Sequence, residues 1–211
     1  MQKPTRSSKE AGRCLQTIAE AQAGFFTAKQ AQSAGFSPSS QTYHVREGHW
    51  AREYRGIYRL TNFPAVLRPE LVRWHLWSMD RAGRLQGVYS YSTALDLYLT
   101  PETRPPGLHP ELHMTVPTGF RRSVETPEGL VLYYADLPES DIAARNGYRL
   151  TTPLRTILDL VAANAMPRKA LSKALLQIAE RGLIARGQVK SARIPEASRL
   201  QLETLLEWKK R

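Results

Sequence analysis

The most constraining feature of the chain is a run of helix and turn signals between Thr27 and Leu60. Thr27 is a good N-cap for a short helix, Ala28 to Ala34, which Gly35 ends. Ser37-Pro38 combines a cap with proline in the first turn and opens a second helix running to about Glu47, stopped by Gly48. Trp50 to Tyr54 and Ile57 to Leu60 flank Arg55-Gly56, the pattern of a two-stranded hairpin with a tight turn. Upstream, Ser8 opens a longer helix in which Cys14, Leu15, Ile18 and Ala19 share an apolar stripe that ends by Gly24. Three short helices followed by a hairpin is the order of a winged helix-turn-helix.

Charge agrees with that order. The chain has 211 residues and a formal net charge of +11. Residues 1–64 carry 9 basic and 4 acidic side chains, residues 65–166 carry 10 and 11, and residues 167–211 carry 11 and 4. The excess lies at the two ends around a neutral middle, which points to a polyanionic partner more directly than the total does. No stretch is long and apolar enough to span a membrane, and the basic first ten residues lack the apolar run of a secretory signal. A lone cysteine, Cys14, excludes an internal disulfide and fits a reducing cytoplasm. On the helical stripe it reads as core.

Beyond Pro64 and Pro69, Glu70 to Arg81 is apolar on two faces, with Trp74 and Trp77 at i, i+3 beside Leu71. Core packing is the simplest account of that pair, and a dimer stripe is the other. Ser92 to Leu99 and Leu154 to Ala163 read as helices, the latter capped by Thr152-Pro153. Leu112 to Val116, Leu130 to Ala135 and Arg149 to Thr151 read as strands. Further helices are expected over Pro167 to Gly182, about Gly187 to Ala192, and Pro195 to the end. The expected fold class is α+β: a winged helix-turn-helix over residues 1–64, then a mixed α/β domain over 65–211 with a helical tail.

Several segments are similar to one known family. The stretch Gly24–Leu60 (GFFTAKQAQSAGFSPSSQTYHVREGHWAREYRGIYRL) resembles the N-terminal domain of the AbiEi antitoxins of abortive-infection, type IV toxin–antitoxin pairs. Tyr91-Ser92-Thr93-Ala94-Leu95, the strand His113-Met114-Thr115-Val116-Pro117 and the T-x-x-R-T-x-x-D-L segment from Thr152 to Leu160 extend the resemblance to about residue 185. It implies a phage-defence protein whose winged helix binds inverted repeats in its own promoter and represses transcription. It also implies a C-terminal domain needed for antitoxicity and a nucleotidyltransferase-like toxin encoded next door. Direct contact with that toxin is not implied.

On the second helix of the helix-turn-helix, Val45 is the apolar anchor, with Gln41 and Thr42 one turn back on its face. Ser39, Ser40, Tyr43, Arg46 and Glu47 fall on the other face, and His44 on the border. The candidate DNA contacts are Ser39, Ser40, Gln41, Tyr43, His44 and Arg46 on the helix, with Arg52, Arg55 and Arg59 along the wing. Arg46 suits guanine O6/N7 or a phosphate. Lys169, Lys173, Arg186, Lys190 and Arg193 form a candidate second basic surface; a solvated face of docked helices is the plainer account.

Signals for chemistry are weak. His109 and His113 have a metal-like spacing, but Pro110 breaks the helix that would align them and no cysteine accompanies them, so no metal is expected. Arg155 and Asp159 stand at i, i+4, the spacing of a helix ion pair. G-x-S-x-G, P-loop and dinucleotide fingerprints are missing, so no catalytic residue and no cofactor is assigned. The resulting expectation is a non-enzymatic, DNA-binding autorepressor and antitoxin, a possible dimer on operator DNA. The alternatives are a nuclease or modifier targeted by the winged helix, and a transcription factor without a toxin.

Overall fold

In the computed structural model, the first helix, α1 (Ser8–Glu20), is started by a reciprocal cap. The Ser7 hydroxyl accepts from the Glu10 amide, and the Glu10 carboxylate accepts from the Ser7 amide at 2.9 Å. Each satisfies an amide the helix leaves without a partner. The description covers residues 7–100, 111–185, 187–188, 202 and 204. The chain divides into two units, residues 1–86 with 144–148, and residues 87–143 with 149–211.

The first unit continues with β1 (Phe25–Thr27), α2 (Ala28–Ala34), α3 (Pro38–Arg46), β2 (Trp50–Tyr54), β3 (Ile57–Leu60) and α4 (Pro69–Trp77). The strands form one antiparallel sheet in the order β1-β3-β2. This is the expected winged helix-turn-helix with one strand added. Thr27 caps α2 in a second reciprocal box with Gln30, and Gly35 ends it at φ 119°. Ser37 caps α3, with Pro38 in its first turn. Leu15, Ala19, Phe26, Ala31, Ala34, Trp50 and Leu60 make the core, with Cys14 and Val45 packed against it. Phe26 meets Trp50 edge-to-face at 4.8 Å, an arrangement the ring quadrupoles favour. Gly24, at φ +89°, lets the chain pass Phe63; an added Cβ there would lie 2.5 Å from the ring.

The expected division at Pro64 does not coincide with the boundary between the units. α4 packs on β1 and β3 within the first unit. Trp77 is buried, while Trp74 meets Tyr54 edge-on at 5.0 Å and Arg73 pairs with Glu53 at 3.0 Å. These contacts make α4 part of the winged-helix unit, and the prolines mark a turn inside it.

The second unit contains β4 (Val88–Tyr89), α5 (Tyr91–Tyr98), β5 (Leu112–Val116), β6 (Leu130–Tyr134), β7 (Ile142–Arg145), β8 (Tyr148–Thr151), α6 (Pro153–Ala162) and α7 (Arg168–Glu180). The tip of the β7–β8 hairpin, residues 144–148, falls in the first unit. The mixed sheet runs β6-β5-β4-β8-β7, with β5–β6 and β4–β8 parallel. α5 packs on β5 and α6, and α6 on α7. A buried hydroxyl chain joins these elements: Tyr98 donates to the Thr151 carbonyl at 2.8 Å, and the Thr151 and Thr156 hydroxyls meet at 2.7 Å. His109 and the helices expected over about 187–192 and 195–211 lie outside the described residues, apart from isolated positions.

Candidate nucleic-acid interface

The geometry of α3 depends on how its inner face is held. Gln41 is 6% exposed, and its amide donates to the carbonyls of Ala28 at 3.1 Å and Phe36 at 3.0 Å. This side chain ties α3 to the start of α2 and to the turn between them. Gln41, one of the expected contacts, is thus engaged inside the fold as a strut. A buried carboxamide must spend its donors inside the fold, so it has none to offer a ligand.

With Gln41 turned inward, Ser39, Thr42, Tyr43 and Arg46 form the exposed stripe of α3 at i, i+3, i+4 and i+7. Thr42 belongs to this face, where phasing on Val45 alone had put it inside. The 39/42/43/46 spacing was the signal that would have found it. Ser39 bonds the Ser37 hydroxyl at 3.0 Å, and Ser40 is half-buried. Tyr43 is 48% exposed, and the Arg46 guanidinium lies 5.5 Å from its ring centre. Arg46 also pairs with Glu47 at 3.0 Å, with 73% of the arginine side chain open to solvent. So exposed an ion pair contributes little, and a phosphate or guanine can replace the carboxylate.

His44 is half-buried. Its ring stacks on Trp50 at 4.7 Å and 14°, and meets Phe36 edge-on. Burial, with the neighbouring His49 adding to it, holds the His44 imidazole below its ordinary pKa. His44, expected on the border of the two faces, thus packs against the base of the wing.

On the wing, Arg52 and Arg55 are exposed, Arg55 at the tip before Gly56 at φ +72°. Arg59 differs. Its guanidinium donates to the carbonyls of Phe63 and Pro64, both at 3.0 Å, and lies 5.8 Å from the Phe25 ring centre. It clamps the turn that leaves β3, so the expected row of three wing arginines is reduced to Arg52 and Arg55. In the second unit, Lys169 and Lys173 are exposed on α7 beside Arg168. Arg186, Lys190 and Arg193 lie outside the described residues.

The second unit's polar centre is an ion-pair network. Arg155 Nε donates to Asp159 at 2.7 Å, the expected i, i+4 pair, and Nη1 donates to Asp141 at 2.9 Å. Burial raises the Asp159 carboxyl above its ordinary pKa, with Arg155 opposing that shift. Two carboxylates on one guanidinium neutralise its charge within the unit, the arrangement of a structural ion-pair network. Tyr133 and His113 share a hydrogen bond of 3.1 Å, and Tyr91 stacks on Tyr133 with centroids 4.0 Å apart. Among the described residues no three His, Cys, Asp or Glu side chains gather as a metal-binding group, and no helix is long and apolar enough to cross a membrane.

No curated protein matches the chain. The fold is similar to the crystal structure of the RV2827C protein from Mycobacterium tuberculosis, at a TM-score of 0.53 and 14% identity, over 98% of this chain and 80% of that one. At that identity the likeness is one of fold. Residues 15–61, from the middle of α1 through the end of the wing, match the family model described as transcriptional regulator, AbiEi antitoxin. The helix-turn-helix and wing are thus similar to those of the AbiEi family of antitoxin transcriptional regulators.

Proposed function

We propose that the chain is a non-enzymatic autorepressor and antitoxin of a type IV toxin–antitoxin pair. In this reading the winged helix binds inverted repeats upstream of its own operon. The observation that carries it is the exposed α3 stripe of Ser39, Thr42, Tyr43 and Arg46, accompanied by the free wing arginines Arg52 and Arg55, inside the AbiEi-type segment. Short polar side chains with one aromatic and one arginine suit a major groove, where they read donor and acceptor patterns on base edges. The wing arginines suit phosphate and fix register. Two copies on the two half-sites of a repeat follow from the symmetry such operators have.

The second unit is the proposed antitoxin domain, acting against a nucleotidyltransferase-like toxin, and Lys169 and Lys173 on α7 its proposed polyanion surface. The closed Arg155–Asp159–Asp141 network favours a scaffold over a nuclease there. The test is fluorescence anisotropy of the full chain on its own upstream region and on a scrambled duplex of equal length, from 50 to 300 mM salt. A preference for the upstream region that persists at the higher salt supports repression. Equal binding that collapses with salt leaves only charge attraction. Co-expression with the neighbouring reading frame tests antitoxicity separately. Metal-dependent cleavage of plasmid DNA by the pure chain would favour the enzyme.

A further inference from the structure

The histidine at the end of α3 faces another histidine across the turn into the wing. His44 Nδ1 and His49 Nδ1 are 3.2 Å apart, and the two rings are tilted by 53°. The His44 ring is fixed from behind by Trp50 and Phe36, while His49 is exposed. Beside the pair lies a cleft of about 330 Å³, mostly apolar, lined by Leu15, Phe36, Trp50 and Leu60 and, on its polar side, by Gln16, Thr61 and Asn62. A mobile surface pair would have neither the packed ring nor the adjoining space.

We propose that His44 and His49 bind a borderline divalent cation, Zn²⁺ or a first-row neighbour such as Ni²⁺, at the junction of α3 and the wing. The separation is the first argument. With metal–nitrogen bonds of about 2.0–2.1 Å, two donors 3.2 Å apart subtend roughly 100° at the ion, close to a tetrahedral angle. The donor chemistry is the second. Neutral imidazole nitrogens suit zinc, nickel and copper and do not suit magnesium or calcium. In the metal-free pair one Nδ1–H donates to the other Nδ1. On metal binding that ring carries its proton on Nε2 instead, so both Nδ1 lone pairs reach the ion and no proton is lost. The remaining positions are left to water in the cleft, which Gln16 and Asn62 also line.

Such an ion joins the last turn of α3 to the turn before β2, so it stiffens the winged helix where α3 meets the wing. The binding claim stands independently of the DNA-binding reading. Only a consequence for operator affinity rests on that reading.

The test uses the full chain, freed of metal with a chelator, and titrates Zn²⁺ and Ni²⁺ by calorimetry, with Mg²⁺ as control. One ion per chain is expected, with no heat from Mg²⁺. His49→Gln changes an exposed side chain and leaves the core intact, and it should lower the affinity by at least about tenfold. His44→Gln should do the same. His113→Gln, in the other unit, should leave the affinity unchanged. Zn²⁺ should also raise the melting temperature of the wild type and not that of His49→Gln. The proposal is overturned if binding is missing at millimolar Zn²⁺ or if His49→Gln binds as tightly as the wild type. Loss of binding in His113→Gln would also overturn it by moving the site elsewhere. Operator affinity measured with and without Zn²⁺ then reports only on coupling, since calorimetry has already decided the site.

Discussion

Replacing Gln41 with methionine separates a strut from a DNA contact. Methionine keeps the length and most of the volume of glutamine, so the space between α2 and α3 stays filled. What goes is the carboxamide that donates to the Ala28 and Phe36 carbonyls. Each such bond is worth about 1 kcal/mol net, and more where the acceptor is left dry, so the loss is about 2 kcal/mol. For a unit of this size 1 kcal/mol corresponds to about 4–8 °C, which places the expected fall in the melting transition of the first unit near 10 °C. Far-UV circular dichroism on heating, or a urea titration, reads it. Well below the transition the variant remains folded, and its operator affinity should equal that of the wild type. An unchanged transition with lost DNA binding at low temperature would refute the strut and return Gln41 to the interface.

Three further outcomes follow from the same geometry. Arg55→Ala should weaken binding to every DNA sequence about equally and reduce the slope of log affinity against log salt by about 1; an unchanged slope would remove Arg55 from the phosphate contacts. Gly24→Ala places a Cβ 2.5 Å from the Phe63 ring at a left-handed backbone position, so it should cost about 3 kcal/mol in urea denaturation, and a neutral variant would show that the turn gives way easily. Because the Asp159 carboxyl is raised in the folded state, the native chain holds that proton more tightly than the unfolded chain does. This group's contribution is therefore most favourable below its ordinary 3.8 and declines as pH rises through the folded value; a carbon-13 titration of Asp159 should give a midpoint above 3.8, and a lower midpoint would reverse that sign.

The helix-turn-helix was legible because its boundaries are written in local chemistry. Thr27, Gly35, Ser37-Pro38 and Arg55-Gly56 each act through one or two backbone groups, and α2, α3 and the wing turn fall where those residues put them. β1 and β4, of three and two residues, are too short for any alternation to show, and they are fixed by their partners in the sheet. α4 packs within the first unit beyond Pro64, because prolines mark turns whether or not a domain ends there. Side-chain roles were harder than elements. Gln41 and Arg59 have the chemistry of DNA contacts, and the sequence cannot show that carbonyls of Ala28, Phe36, Phe63 and Pro64 already accept from them. Thr42 was lost to a phase error of one position. The Arg155–Asp159 pair was readable because i, i+4 is a local relation, whereas Asp141 joins it only through the fold.

The central claim is that the outer stripe of α3 distinguishes one DNA sequence from another. Its most direct test is the ratio of affinities for the upstream region and a scrambled duplex, measured by anisotropy for the wild type and Arg46→Ala at one salt concentration. If Arg46 reads a base, its removal should lower affinity for the upstream region by about 1–3 kcal/mol while scarcely changing that for the scrambled duplex, so the ratio falls at least severalfold. A ratio equal to that of the wild type would contradict the account, and sequence reading would have to be sought away from this helix.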